Sequence, residues 1–135
     1  MAKILGLDLG EKKIGLAIGD SDHGFAFARP ALLVDHWAEA WPVLKQLVQD
    51  EGITTIVLGW PTSTDGTPSD QTQRAEEFRT ALAAHLAIPI VTHDERFTTQ
   101  AVQREQSQSA RTLDRGMEDS LAAQLILESY LQTQR

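Results

Sequence analysis

Lys3-Ile-Leu-Gly-Leu-Asp8-Leu-Gly-Glu-Lys-Lys-Ile-Gly-Leu-Ala-Ile18 decides the fold. Residues 3–9 read as an apolar strand, Gly10-Glu-Lys-Lys13 as a tight connection and residues 14–19 as a second strand, which together predict a β-hairpin. One carboxylate, Asp8, interrupts the apolar run of the first strand. Burying an unpaired carboxylate is expensive, so such a residue is normally neutralised, hydrogen-bonded or bound to a metal.

Outward from the hairpin, Phe25 to Val34 alternates loosely and predicts a third strand, with Pro30 arguing for an edge position or a bulge. A helix follows from about Trp41, where Pro42 is comfortable in the first turn. It carries Trp41, Leu44, Leu47 and Val48 at helical spacing and ends at Gly52. Residues 53–58 are a β-branched strand that stops at Gly59-Trp-Pro61, and residues 62–67 form a polar loop. Thr67-Pro-Ser-Asp70 opens a second helix whose buried face is Ala75, Phe78, Leu82 and Leu86. Residues 88–92 are another strand, followed by His93-Asp-Glu-Arg96. Residues 103–114 are Gln/Ser-rich and expected to be mobile, and a last helix runs from about Met117 to Leu131.

Three strands in succession predict an antiparallel meander, and two later strands, each entered through a helix, should lie parallel to the first. The expected fold class is α/β: a mixed five-stranded sheet with helices on both faces, built as a single domain over residues 1–135. In such sheets the site lies beyond the carboxyl ends of the parallel strands.

Composition narrows the function. Hydrophobic content of 41% with 23% charged residues reads as globular, and no apolar run is long enough for a membrane span. No signal-peptide pattern opens the chain, and the absence of cysteine excludes disulfides and thiolate metal sites and suits a reducing cytoplasm. The net charge of −7 is unlike a generic nucleic-acid surface, which is normally basic. Charge is unevenly spread, however: Arg96, Arg104, Arg111 and Arg115 outnumber Glu105 and Asp114 in the same stretch. A charge run is usually a solvated face; the sharper reading is that these arginines meet phosphates beside the site.

Two other segments supply carboxylates where the sheet could gather them. Asp94-Glu95 follows the 88–92 strand, and Asp119 opens the last helix on the face shared by Ala122, Ala123, Ile126 and Tyr130. An acid in a first helical turn is ordinarily a dipole partner or cap. Three convergent acids, with Asp8 on a central strand, instead predict a site for a hard divalent cation, Mg²⁺ or Mn²⁺. Adjacent strand residues point to opposite faces, so only one of Asp94 and Glu95 can join. His23, His36 and His85 are scattered without metal-ligand spacing, and His93 is a weaker candidate for proton transfer. Trp60 reads first as core packing and second as a platform for an unpaired base.

These residues fall in blocks. Leu5-Gly-Leu-Asp8-Leu-Gly-Glu-Lys-Lys-Ile-Gly-Leu-Ala17, Ile56-Val-Leu-Gly-Trp-Pro61 with Asp65-Gly66, Asp94-Glu-Arg-Phe-Thr-Thr99, and Asp119-Ser-Leu-Ala-Ala123 with Ile126-Leu127 and Tyr130-Leu131 occur in that order over nearly the whole chain. In this the sequence resembles the YqgF family, also called RuvX, of RNase H-like nucleases. The resemblance implies an RNase H-like fold, cytoplasmic residence, and nuclease action either on the 5′ end of precursor 16S rRNA or on Holliday junctions. It puts the catalytic and metal-binding acids at Asp8, Glu95 and Asp119. Trp60 departs from the smaller aliphatic residue expected before the proline, and the late loop is less basic than in relatives.

The chemistry expected is hydrolysis with two cations roughly 4 Å apart, bridged by Asp8 and flanked by Glu95 and Asp119. Candidate nucleic-acid contacts are Lys12, Thr62, Arg96, Arg104, Arg111 and Arg115. The expected partner is structured RNA or branched DNA, with no membrane, bound by a monomer or a weak homodimer. Two competing classes are a phosphate-binding enzyme of the actin–hexokinase type, which normally needs two such domains, and a non-catalytic ribosome-assembly factor.

Overall fold

Apolar residues alternate along the first strand so that Leu5 and Leu7 enter one core while Ile4 enters another on the opposite face. The computed structural model describes residues 2–22, 24–61, 70–94 and 120–133. Strands β1 (Lys3–Leu9) and β2 (Lys13–Asp20) form the expected hairpin, with Leu5 opposite Ile18 and Asp8 opposite Gly15. The Gly10 N–H donates to the Lys13 carbonyl at 2.8 Å and closes the turn.

Strand β3 (Ala26–Leu33) pairs antiparallel with β2 and forms one edge of the sheet. The register slips between Ile14 and Leu16, where β3 carries Pro30, which has no N–H to give to the ladder. Strands β4 (Ile53–Trp60) and β5 (Ile90–Asp94) complete the sheet in the order β3-β2-β1-β4-β5, with β4 parallel to both β1 and β5. The last strand begins two residues later than the 88–92 reading. Pro89 cannot donate, and its carbonyl instead accepts the Ile56 N–H at 3.0 Å just outside the strand. At its other end β5 stays paired with β4, His93 with Gly59 and Asp94 with Trp60, so His93 and Asp94 lie inside the strand rather than after it.

Helices α1 (Trp41–Glu51) and α2 (Asp70–His85) cover one face. Pro42 occupies the first turn of α1, preceded by a 3₁₀ turn at Trp37–Ala40 that His36 and Glu39 cap reciprocally. Gly52 stops α1 in the left-handed conformation, at φ 68°. Leu5, Leu7, Leu44, Ile56, Leu58 and Leu82 are fully buried around Phe78, and Trp41 stacks on its ring with centroids 5.4 Å apart. Removing a side chain of that size from water contributes about 1.5–3 kcal/mol. All four residues expected on the buried face of α2 are buried.

The helix over residues Leu121–Thr133, here α3, covers the other face and packs on Ile4, Ala17, Ala26 and Val57. Its buried stripe runs through Ala123, Ile126, Leu127 and Leu131, with Tyr130 half-buried beside it, so the stripe is turned slightly from the one expected through Ala122. Among the described residues, no helix is long and apolar enough to cross a membrane.

Candidate active site

Asp8 is the penultimate residue of β1 and shares the α3 side of the sheet with Ile4 and Gly6. Its partner on β2 is Gly15, and on β4 Gly59 follows Leu58, the partner of Leu7. Two glycines therefore leave a shelf without side chains on either side of a half-buried carboxylate. That clearance around Asp8 was not anticipated, although both glycines stand at strand positions where a side chain would otherwise fill the space.

Helix α3 comes very close to the same strand. A Cβ at Gly6 would lie 2.9 Å from Leu127 Cβ and 3.1 Å from the Ala123 carbonyl oxygen. At the start of α3, Ser120 is fully buried and its Oγ accepts the Leu16 N–H at 3.0 Å. The register slip interrupts the β2–β3 ladder there, and the hydroxyl satisfies an amide that would otherwise be buried unpaired. This pins the residue following Asp119 to the strand beside β1. Sequence reasoning missed Ser120: a serine at a helix start reads as a cap, and its partner is far away in the chain.

On the other flank, Gly59 pairs with His93. His93 faces α3, where its Nε2 shares a 2.9 Å hydrogen bond with Ser129 Oγ and its ring meets Tyr130 edge-on. Burial pushes the imidazole pKa below its ordinary value, opposed by the negative charge of Asp94. Strand alternation turns Asp94 to the α2 side, the face of its partner Trp60 and away from that of Asp8.

Trp60 packs against the α1–α2 core, with the Arg79 guanidinium 5.9 Å from its ring centroid. Core packing, not an exposed stacking platform, is its role in the fold. Lys12 is exposed in the hairpin turn. Thr62, Glu95, Arg96, Arg104, Arg111, Arg115 and Asp119 lie outside the described residues, as does the 103–114 segment. Among the described residues, no group of three His, Asp or Glu side chains could hold a metal ion. A pocket of about 160 Å³ at the end of β1 is lined by Asp8, Gly10, Glu11, Gly59, Pro61 and Arg74.

A meander followed by two parallel strands, with helices on both faces and an acid near the end of the central strand, is the RNase H-like architecture. Solved structures agree on the fold. Thermus thermophilus RuvC in complex with a Holliday junction substrate superposes with a TM-score of 0.64 at 10% identity, covering 99% of this chain and 96% of that one. The fowlpox virus Holliday junction resolvase gives 0.55 at 11% identity, covering 98% and 99%. Residues 2–133 match the family described as RuvX, Holliday junction resolvase, and the chain belongs to that family. Among its relatives, a protein of Syntrophus aciditrophicus is 37% identical over 131 residues, covering 96% of this chain and 87% of its own. One from Pseudomonas aeruginosa is 36% identical over 131 residues, covering 95% and 90%. Both carry the provisional name pre-16S rRNA nuclease.

Proposed function

We propose that this chain is a metal-dependent nuclease that hydrolyses phosphodiester bonds, acting in the cytoplasm on the 5′ end of precursor 16S rRNA. The observation that carries the reading is Asp8, on the central strand opposite Gly15 of β2 and near Gly59 of β4, with strand alternation placing its side chain on the α3 side. Two neighbours support it. Ser120, the residue after Asp119, is tied to β2 beside β1, and β5 ends at Asp94, the residue before Glu95, one strand beyond β4. Because Asp94 takes the α2 side of β5, Glu95 is the better candidate of that pair.

Asp8, Glu95 and Asp119 form an all-carboxylate donor set, which suits Mg²⁺ or Mn²⁺ rather than a softer metal. When bound, a pair of such ions supplies an activated water and neutralises charge on the phosphate and the leaving oxygen. The three carboxylates would hold the cations, and Lys12, Thr62, Arg96, Arg104, Arg111 and Arg115 would meet backbone phosphates. No covalent intermediate is required, consistent with a chain that has no cysteine. Holliday junction DNA is the second reading, favoured by the description of the family.

Cleavage of precursor 16S rRNA and of a four-way junction, each by the natural chain and by Asp8→Asn, tests both. The expected result is cleavage of the RNA that disappears in the variant, while its metal-free melting curve is unchanged. Undiminished cleavage by Asp8→Asn refutes the site, and preference for the junction moves the function to DNA.

A further inference from the structure

Arg74 projects from α2 to the turn that follows Asp8. Its Nη2 donates to the Gly10 carbonyl at 2.7 Å and to the Glu11 carbonyl at 3.0 Å. One nitrogen with two hydrogens thus spans two successive peptide oxygens, and hydrogen bonds from a charged donor are the strong ones. The third carbonyl of the turn, that of Lys12, accepts the Val34 N–H at 2.9 Å. Ala75, the next residue of α2, is buried, so the arginine is mounted on a fixed base.

The location matters because Asp8 lies just beyond the last register pair of β1 with β4. The β1–β4 register ends at Leu7 and Leu58, whereas the β1–β2 register continues through Asp8 and Gly15 to Leu9 and Ile14. The orientation of Asp8 is therefore set by the hairpin end, and the hairpin end is held from the α2 side by Arg74. The guanidinium grips the turn's backbone from α2, whereas strand alternation puts the Asp8 side chain on the α3 side, that of Gly6.

We propose that Arg74 is a positioning residue for Asp8, holding the Gly10–Glu11 turn from behind so that the carboxylate is presented in a fixed place. This rests on the reading of Asp8 as a nuclease carboxylate. An arginine that only stabilised the fold would change the melting temperature and leave turnover alone. One that gripped substrate phosphate would change KM.

Arg74→Ala and Arg74→Lys, compared with the natural chain and Asp8→Asn, separate these roles. Amide exchange should quicken in Arg74→Ala at residues 9–13 and stay unchanged in β4 and α3. With Mg²⁺ and a structured RNA substrate, kcat should fall about 100-fold, the scale of a small misplacement of a reacting group, with KM nearly constant. Added guanidinium ion should restore part of kcat in Arg74→Ala. Arg74→Lys, which lacks the planar fork, should stay impaired with native β4 and α3 exchange. Unchanged exchange at residues 9–13, or a raised KM with kcat intact, overturns the proposal. If Asp8→Asn cleaves like the natural chain, it is the nuclease reading that falls, and the exchange measurement alone then decides whether Arg74 holds the turn.

Discussion

Gly6 and Leu127 are in such close contact that one added methyl group on the glycine would sit 2.9 Å from Leu127 Cβ. The neighbouring Ala123 carbonyl oxygen, at 3.1 Å, closes the other direction of escape. Gly6→Ala should therefore lift α3 from the sheet and destabilise the fold by about 1–3 kcal/mol, the range for overpacking. Urea denaturation measures this, and an unchanged midpoint would contradict the close contact.

Ser120→Ala leaves the Leu16 N–H in a buried site without an acceptor. The expected loss is about 1–3 kcal/mol. Because Asp119 precedes this residue, Mn²⁺ affinity measured by calorimetry should also weaken. Loss of stability with full metal affinity would confine Ser120 to the fold.

Cation binding should itself be visible as stability. At a free concentration of Mg²⁺ a hundredfold above its dissociation constant, a ligand bound only by the native state adds about 2.7 kcal/mol. The natural chain should melt several degrees higher under those conditions, and Asp8→Asn should not. Equal shifts in the two proteins would mean that the cation binds elsewhere.

His93 gives a pH dependence to the metal-free protein. Its pKa in the fold is pushed below the ordinary 6.5 by burial, against a smaller upward pull from Asp94. Between the depressed native value and the unfolded one, the unfolded chain binds more protons, so stability rises with pH across that interval. The penalty is absent above about 6.5 and complete below the native pKa. In chelator, the natural chain should lose more stability than His93→Gln when the pH is lowered from 7.5 to 5. Equal losses measured by guanidinium denaturation would remove His93 as the cause.

Local pattern revealed the elements, and distance along the chain concealed their joints. Val and Ile at β-favouring positions marked β4, the spacing of Ala75, Phe78 and Leu82 marked the buried face of α2, and Pro30 announced the slipped edge of β3. Pro89 was the local exception: β5 starts just after it and runs on to Asp94, and the pairing of His93 with Gly59 and of Asp94 with Trp60 fixes their sides. Asp8 stood out because a carboxylate in an apolar strand is conspicuous, and its place near the end of β1 is as the sequence suggested. Ser120 and Arg74 were not, since each looks like an ordinary polar residue of a helix until its partner, Leu16 or Gly10, is brought beside it by the sheet. Glu95 and Asp119 lie outside the described residues.

The parallel pairing of Leu5 with Ile56 has a kinetic corollary. The meander of β1, β2 and β3 can zip through short loops, but β1 meets β4 only after the intervening strands and α1 have been spanned, and such non-local pairing is intrinsically slow. Asp8 acquires Gly59 as a neighbour at that late step. A newly synthesised chain can thus assemble its local hairpins well before it becomes competent, and stopped-flow refolding should find strand signal returning ahead of the ability to cut.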